Sequence, residues 1–347
     1  MCSSDLMTIT LQQKRIAASA ALVAGALAVR AWQRRRAFDF AGKSIVITGG
    51  SRGLGLVMAR ELAGAGARLT LIARDEEELS VAANELRVNC GADVLTATAD
   101  IRIRCEAERA IAQAVDRYGR VDVLINNAGI IQVGPFDHMK LSDYEDAMNT
   151  HFWGPLYTVL ASLPHMRRQG EERIVNISSI GGRIAVPHLL PYCASKFALA
   201  GFSDGLRAEL AGENIVVTTV IPGLMRTGSP VNALFKGRQP AEYAWFAISD
   251  SLPLASIDAR RAARQIINGC RYGDAEVTVT VQAKLAIIAR TLAPELFADG
   301  MEMMNRLLPP PAPVGGDTNR RGREIESEAP TKLTGPTFWA AVKNNEL

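Results

Sequence analysis

A tyrosine and a lysine stand four residues apart in Tyr192-Cys193-Ala194-Ser195-Lys196. On a helix that spacing sets both side chains on one face, one turn apart. The residues that follow predict such a helix: Phe202, Leu206 and Leu210 recur at four-residue intervals, and Gly212 marks a C-terminal stop. A free tyrosine titrates near ~10, too high for acid–base work at neutral pH. A neighbouring ammonium favours the phenolate. Bringing the phenol near neutrality takes roughly three pH units, about 4 kcal/mol, which asks for a dry site and a second cation as well. Alone, such a pair is more often a half-buried ring beside a solvated charge. The elements around it must decide.

From Gly42 onward, short apolar runs alternate with helical ones. Strands are predicted at 44–48, 68–72, 93–97, 121–125, 173–177, 215–221 and 276–281, with a long helix over 141–166. Strands separated by helices imply right-handed crossovers and a parallel sheet covered on both faces. The fold class is therefore α/β, a doubly wound parallel sheet of about seven strands in a single domain over 42–285. No internal repeat is visible. A helical extension is expected at 286–308. Residues 309–347 read as a disordered tail, because 307–336 is rich in Pro, Gly and charge.

The first strand ends in Thr48-Gly49-Gly50-Ser51-Arg52-Gly53-Leu54-Gly55. Gly49 permits the turn, Gly53 lets backbone approach a pyrophosphate, and Gly55 lets the next helix pack close to the strand. The helix N-terminus then offers free N–H groups and a positive dipole end. The spacing is G-x-x-x-G-x-G, not G-x-G-x-x-G. At the end of the second strand, an acidic residue would bind the ribose 2′-hydroxyl of NAD. Here Ala73-Arg74 stand there, with Arg52 in the turn. Two guanidiniums suit a 2′-phosphate. The cofactor is read as NADP, with NAD as the alternative. Asp75 is the contrary signal, but it opens the acidic run Asp75-Glu76-Glu77-Glu78, which looks like a helix first turn.

Together these residues resemble the short-chain dehydrogenase/reductase family over about 42–285, with a Rossmann-like fold. The glycine turn, Asp100-Ile101, Asn126-Asn127-Ala128-Gly129 and Pro222-Gly223 with Thr227 fall in the family's order on the expected elements. The resemblance implies Asn149, Ser179, Tyr192 and Lys196 as catalytic residues. It implies cofactor contacts from Gly49, Ser51, Arg52, Gly53, Leu54, Gly55, Arg74, Asp100, Ile101, Asn126, Ala128, Gly129, Tyr192, Lys196, Pro222, Gly223 and Thr227. In that scheme Tyr192 moves the proton while a hydride passes between nicotinamide and carbonyl carbon. Lys196 holds the nicotinamide ribose and lowers the Tyr192 pKa. Ser179 orients the carbonyl oxygen. Asn149 links Lys196 to solvent through water and backbone.

The segment after Gly223, about 224–255, is expected to cover the substrate. It carries Leu234, Phe235, Tyr243, Trp245 and Phe246. Such a lid suits an apolar or lipid-like ketone or alcohol; equally, the aromatics pack the lid or form a dimer contact. The expected function is an NADP-dependent oxidoreductase interconverting a carbonyl and an alcohol. The alternatives are a soluble reductase of small polar ketones and a catalytically silent NADP(H)-binding scaffold. The resemblance also allows a homo-oligomer.

Charge and cysteine usage exclude other classes. The net charge of +3 comes from two clusters, Arg30 with Arg34, Arg35 and Arg36, and Arg320 with Arg321 and Arg323. The middle of the chain is near neutral, so no nucleic-acid footprint is indicated. None of the five cysteines forms a C-x-x-C pair, and the four histidines lack ligand spacing, so no disulfide framework and no metal site are expected. The histidines read as surface or packing residues. Residues 1–6 look like a non-native leader. Residues 16–29 are free of charge and would span about 21 Å as a helix, short of a ~30 Å hydrocarbon core unless extended to Trp32. Ala26-Leu27-Ala28 resembles a signal cleavage site, but Arg34-Arg35-Arg36 follows at once and favours the cytoplasm. Residues 7–36 are therefore expected to be an uncleaved anchor, membrane-associated with the catalytic domain facing the cytoplasm. The alternative is a helix packed on the protein's own surface and a cytoplasmic protein.

Overall fold

Ser44–Thr48 is buried at all five positions and Glu172–Ile177 at all six. Strands buried on both faces need helices above and below, which a parallel sheet provides. In the computed structural model this is the outcome. The structure describes residues 37–251, 256–328 and 335–346, with Ser19 and Gly25 as isolated helical positions. The expected leader and anchor otherwise lie outside the described residues. Among the described residues, no helix is long and apolar enough to cross a membrane.

Seven strands form the central sheet: β1 (Ser44–Thr48), β2 (Arg68–Ala73), β3 (Val94–Thr98), β4 (Val123–Asn126), β5 (Glu172–Ile177), β6 (Ile215–Ile221) and β7 (Glu276–Thr278). Their order is β7-β6-β5-β4-β1-β2-β3, with every neighbouring pair parallel. The order reverses between β1 and β4. That switch point opens a crevice at the carboxyl ends of the strands. The helices Gly53–Gly64, Glu76–Cys90 and Ala259–Tyr272 cover one face through residues such as Leu56, Met58, Leu79 and Ile266. On the other face, Ile111, Val159 and Leu163 are buried, and Phe202 and Leu206 of the Tyr192 helix pack against them. The doubly wound, single-domain α/β fold is as the strand–helix alternation predicts.

The long helix expected over 141–166 is present but widened at its centre. Leu141–Met148 and Gly154–Met166 are α-helical, and Asn149–Trp153 between them is a π-turn. Pro155 has no N–H to give the His151 carbonyl, and Gly154 N reaches back to the Asn149 carbonyl. The expected strand at 276–281 is shorter because Thr280 caps the next helix, its hydroxyl accepting from Ala283 N.

A buried polar chain ties β4, β5 and β6 to two helices. Thr158 Oγ1 donates to Asn126 Oδ1 at 2.7 Å, and Asn126 Nδ2 donates to Asn176 Oδ1 at 2.9 Å. Asn176 Nδ2 donates to Ser203 Oγ at 3.0 Å, and Thr219 Oγ1 donates to the same oxygen at 2.8 Å. The side chain of Asn126, implied as a cofactor contact, is spent in this chain. Asn176→Ala leaves Asn126 Nδ2 without its acceptor in a dry interior, at a cost of about 1–3 kcal/mol. Denaturant unfolding should show a lower midpoint at an unchanged slope.

The expectation of a disordered 309–347 is corrected for the described residues 309–328 and 335–346. Arg320–Arg321 pairs antiparallel with Leu234–Phe235, which pairs parallel with Gln132–Val133. His138 bonds Asp317 at 2.9 Å and accepts from Ala312 N at 2.9 Å, while Ile325 is fully buried. Composition tells whether a segment can build its own core. This one borrows a strand edge and an apolar cluster from elsewhere in the chain.

Candidate active site

The glycine turn joins β1 to its helix at the switch point. A Cβ on Gly55 would lie 2.0 Å from the Gly49 carbonyl oxygen, so only glycine lets the helix come this close. Thr48 Oγ1 accepts from Asn127 N at 3.0 Å and Ala128 N at 3.1 Å, and Asn127 Nδ2 donates to the Thr48 and Gly49 carbonyls. The two loops flanking the crevice are thus locked to each other, with Ala128 and Gly129 at its edge. Leu54 is buried in the first turn of the helix.

Arg52 is not a free cation. It pairs with Glu78 at 2.8 Å, and Ser51 Oγ donates to the same carboxylate at 3.0 Å. Arg74 is exposed at the end of β2. Asp75 caps the helix Glu76–Cys90, accepting from Glu78 N at 3.0 Å, as the acidic run predicts. Burial opposes ionisation of Asp100, but the Arg102 guanidinium bonded to it outweighs this and holds its carboxyl below the usual range. Ile101 is buried beside Gly154.

Three of the four implied catalytic residues converge at the carboxyl ends of β5 and β6. Ser179 follows β5; its Oγ accepts from Gly181 N at 3.0 Å and is near enough to the Tyr192 hydroxyl to favour its ionisation. Tyr192 and Lys196 lie one turn apart on the helix Leu190–Glu209. Lys196 is 4% exposed; its Nζ donates to the Ile177 carbonyl at 2.8 Å and stands 5.8 Å from the Tyr192 ring centroid. Burial brings the Lys196 ammonium down to about 7. Burial also pushes the Tyr192 phenol up to about 12, against the Ser179 hydrogen bond and with help from Cys193 and Asp250. The Lys196 charge is not among the influences on the phenol here, and its head is turned to the Ile177 carbonyl. Asn149 opens the π-turn with its carbonyl accepting from Gly154 N, and among the described residues no direct hydrogen bond joins it to Lys196. On the far side of the crevice, the Pro222 carbonyl accepts from Ile180 N at 2.7 Å, next to Gly223. Thr227 is buried with its hydroxyl 2.5 Å from that of Ser229.

Sequence reasoning missed two residues here. His151, expected only as a surface or packing histidine, is fully buried inside the π-turn. Its Nε2 accepts from Ile130 N at 3.1 Å, so its Nδ1 carries the hydrogen toward Ser195 Oγ at 2.7 Å. Ser195 Oγ in turn donates to the Tyr192 carbonyl at 2.8 Å, and the imidazole meets the Tyr192 ring edge-on at 5.4 Å. Burial, then the Lys196 charge, keep this imidazole neutral. Asp250 is 4% exposed, and burial pushes its carboxyl up to about 8. Nothing in its sequence neighbourhood marks it; only the fold brings it toward Tyr192.

The lid region folds as Leu224–Arg226, Ser229–Asn232, Leu234–Phe235 and the helix Gln239–Ser251. Phe235, Tyr243 and Phe246 are buried with ring centroids 5.5 and 6.0 Å apart, in a cluster that includes Leu189, Cys193 and Ile325 and touches Tyr192. Trp245 Nε1 donates to Glu242, which holds His188 at 2.9 Å. Packing of the lid accounts for the three buried rings.

Comparison with known proteins agrees with this geometry. A family model described as short chain dehydrogenase matches residues 43–234. The chain is 34% identical over 257 residues to the 11-beta-hydroxysteroid dehydrogenase-like 4A of Arabidopsis thaliana, covering 74% of this chain and 82% of the relative. It resembles the solved structure of an actinorhodin polyketide ketoreductase with NADPH (30% identity, TM-score 0.61, 69% of this chain and 95% of that one). In fold it also resembles a short chain dehydrogenase/reductase from Burkholderia phymatum in complex with NAD (24% identity, TM-score 0.69, 75% of this chain and 96% of that one). The chain belongs to the short-chain dehydrogenase/reductase family and is an oxidoreductase with its Rossmann-like fold.

Proposed function

We propose that the protein is an NADP-dependent oxidoreductase interconverting a carbonyl and an alcohol, with an apolar or lipid-like substrate. The observation that carries the reading is Tyr192 with the buried Lys196 one turn on the same helix and Ser179 acting on the Tyr192 hydroxyl, at the carboxyl edge of the sheet. A dinucleotide fits the crevice: the helix beginning at Gly53 presents its N-terminus there, and Gly53 N already donates to a carbonyl oxygen. The cofactor, when bound, supplies or accepts the hydride. The chain's own groups do the rest. Tyr192, protonated at neutral pH, gives its proton to the substrate oxygen in the reducing direction. Ser179 shares that oxygen and fixes its approach. Lys196, whose Nζ now donates to Ile177 O, would hold a ribose hydroxyl of the cofactor. His151 and Ser195 brace the backbone beneath Tyr192. Asn149 and the π-turn provide the route from Lys196 toward solvent.

Arg74 supports the choice of NADP, since Asp75 spends its carboxylate on a helix cap. Replacing Arg74 by aspartate is expected to weaken NADPH binding by about 1.5–3 kcal/mol, roughly tenfold to hundredfold, and NADH binding much less. Titration with both cofactors checks this; an equal loss for both contradicts the assignment. The apolar substrate rests on the lid, whose Trp245 packs with the buried rings in the cluster that also holds Leu189 and touches Tyr192. Residues 16–32 and the arginines that follow would hold the protein at a membrane surface, with the catalytic domain on the cytoplasmic side. Fractionation with and without residues 1–36 tests that part.

A further inference from the structure

The helix Gly335–Lys343 ends at the mouth of the crevice, and the three residues after it run inside. Gly53 N, the first N–H of the glycine-turn helix, donates to the Asn344 carbonyl at 2.9 Å. Asn345 Nδ2 donates to the Ser51 carbonyl at 3.1 Å, and Asn232 Nδ2 donates to the Glu346 carbonyl at 2.9 Å. Arg60 holds the approach, donating to the Lys343 carbonyl at 2.9 Å and to Asn344 Oδ1 at 3.2 Å. Glu346 is 6% exposed. One of its carboxylate oxygens lies 2.7 Å from where a Cβ on Gly53 would stand, the other 2.9 Å from one on Gly228. Both glycines have positive φ, +56° and +99°, so the carboxylate fills room that only glycine leaves at either wall.

The Asn344 carbonyl takes a helix N-terminal donor that a pyrophosphate would use, and the Glu346 carboxyl fills the space beside it. The two occupants cannot share Gly53 N or the space between Gly53 and Gly228. We infer that this cradle is also a binding site for the chain's own acidic segment Asn344–Glu346, and that the segment and the dinucleotide exclude each other. The inference rests on the reading of the crevice as the dinucleotide site. The seated segment is poised to leave. Burial holds the Glu346 carboxyl well above its ordinary range, Arg52 favours its charge, and Asp250 and Glu78 oppose it. Its stay in the crevice is thus a balance of desolvation against hydrogen bonds, which a dinucleotide with its own charges can tip.

The test uses the full chain and a variant lacking residues 344–347, each titrated with NADPH and with NADH. If the segment sits in the crevice nine times in ten, its loss should tighten dinucleotide binding about tenfold. In the unaltered chain, saturating NADPH should also speed hydrogen exchange at the amides of residues 339–346. Equal affinities in the two proteins, or amides that stay protected with NADPH bound, overturn the competition while leaving the dinucleotide reading intact. Failure of both proteins to bind either dinucleotide removes the dinucleotide reading itself, and the competition with it.

Discussion

Replacing Tyr192 by phenylalanine should lower kcat by about three orders of magnitude, within the range ascribed to a positioned general acid. The ring contacts survive the change: His151 still meets an aromatic edge, and the lid cluster still packs on it. Only the hydroxyl goes, and Ser179 keeps its bond from Gly181 N. Cofactor affinity should stay within twofold, so the loss appears in kcat and not in dinucleotide binding. With the phenol pushed up to about 12, reduction should be insensitive to this group across neutral pH. Oxidation needs the phenolate, so its rate should climb with pH toward the phenol's pKa in the ternary complex. Steady-state rates in both directions across pH check this; a flat oxidation profile with a pH-dependent reduction is the opposite result.

The second large effect concerns Lys196, where activity and stability should move in opposite directions. Lys196→Met removes the group that would hold the ribose, and kcat/KM should fall by at least about a hundredfold, or roughly 3 kcal/mol. The same change should raise the melting temperature of the cofactor-free protein. The buried ammonium has its pKa lowered from 10.5 to about 7, so folding costs protonation energy wherever the unfolded lysine is charged. That cost is full below pH 7, fades as pH rises, and is absent above about 10.5. The gain from methionine should follow the same course, largest at pH 6 to 7 and gone in strong alkali. The bond to the Ile177 carbonyl is lost as well, an offset of about 1 kcal/mol. Thermal unfolding across pH reads the difference directly.

Local requirements made much of this site legible in the sequence. The strand–turn–helix around Gly49 to Gly55 and the one-turn spacing of Tyr192 and Lys196 are short-range patterns, and the resemblance put Ser179 on the right strand end. What escaped depends on the fold. Pro155 in a helix signals a break, but which register it imposes on Asn149–Trp153 follows from packing. His151 reads like any histidine until Ile130 and Ser195 close on it. The Arg52–Glu78 pair joins two helices and depends on the fold that sets them side by side. The segment beyond residue 309 was misread for the same reason. Its partners, such as Ser51 for Asn345, lie 294 residues away, beyond the reach of any periodicity or composition argument.

The central claim is that this chain moves a hydride and a proton together across the crevice, with Tyr192 as the proton's carrier. Its most direct test is turnover with NADPH deuterated at the transferable position, offered with apolar ketones and long-chain aldehydes, and product analysis by mass spectrometry. The account predicts an alcohol deuterated at its carbinol carbon from the intact protein and almost none from Tyr192→Phe. Product without the label, or full turnover by the phenylalanine variant, would contradict it.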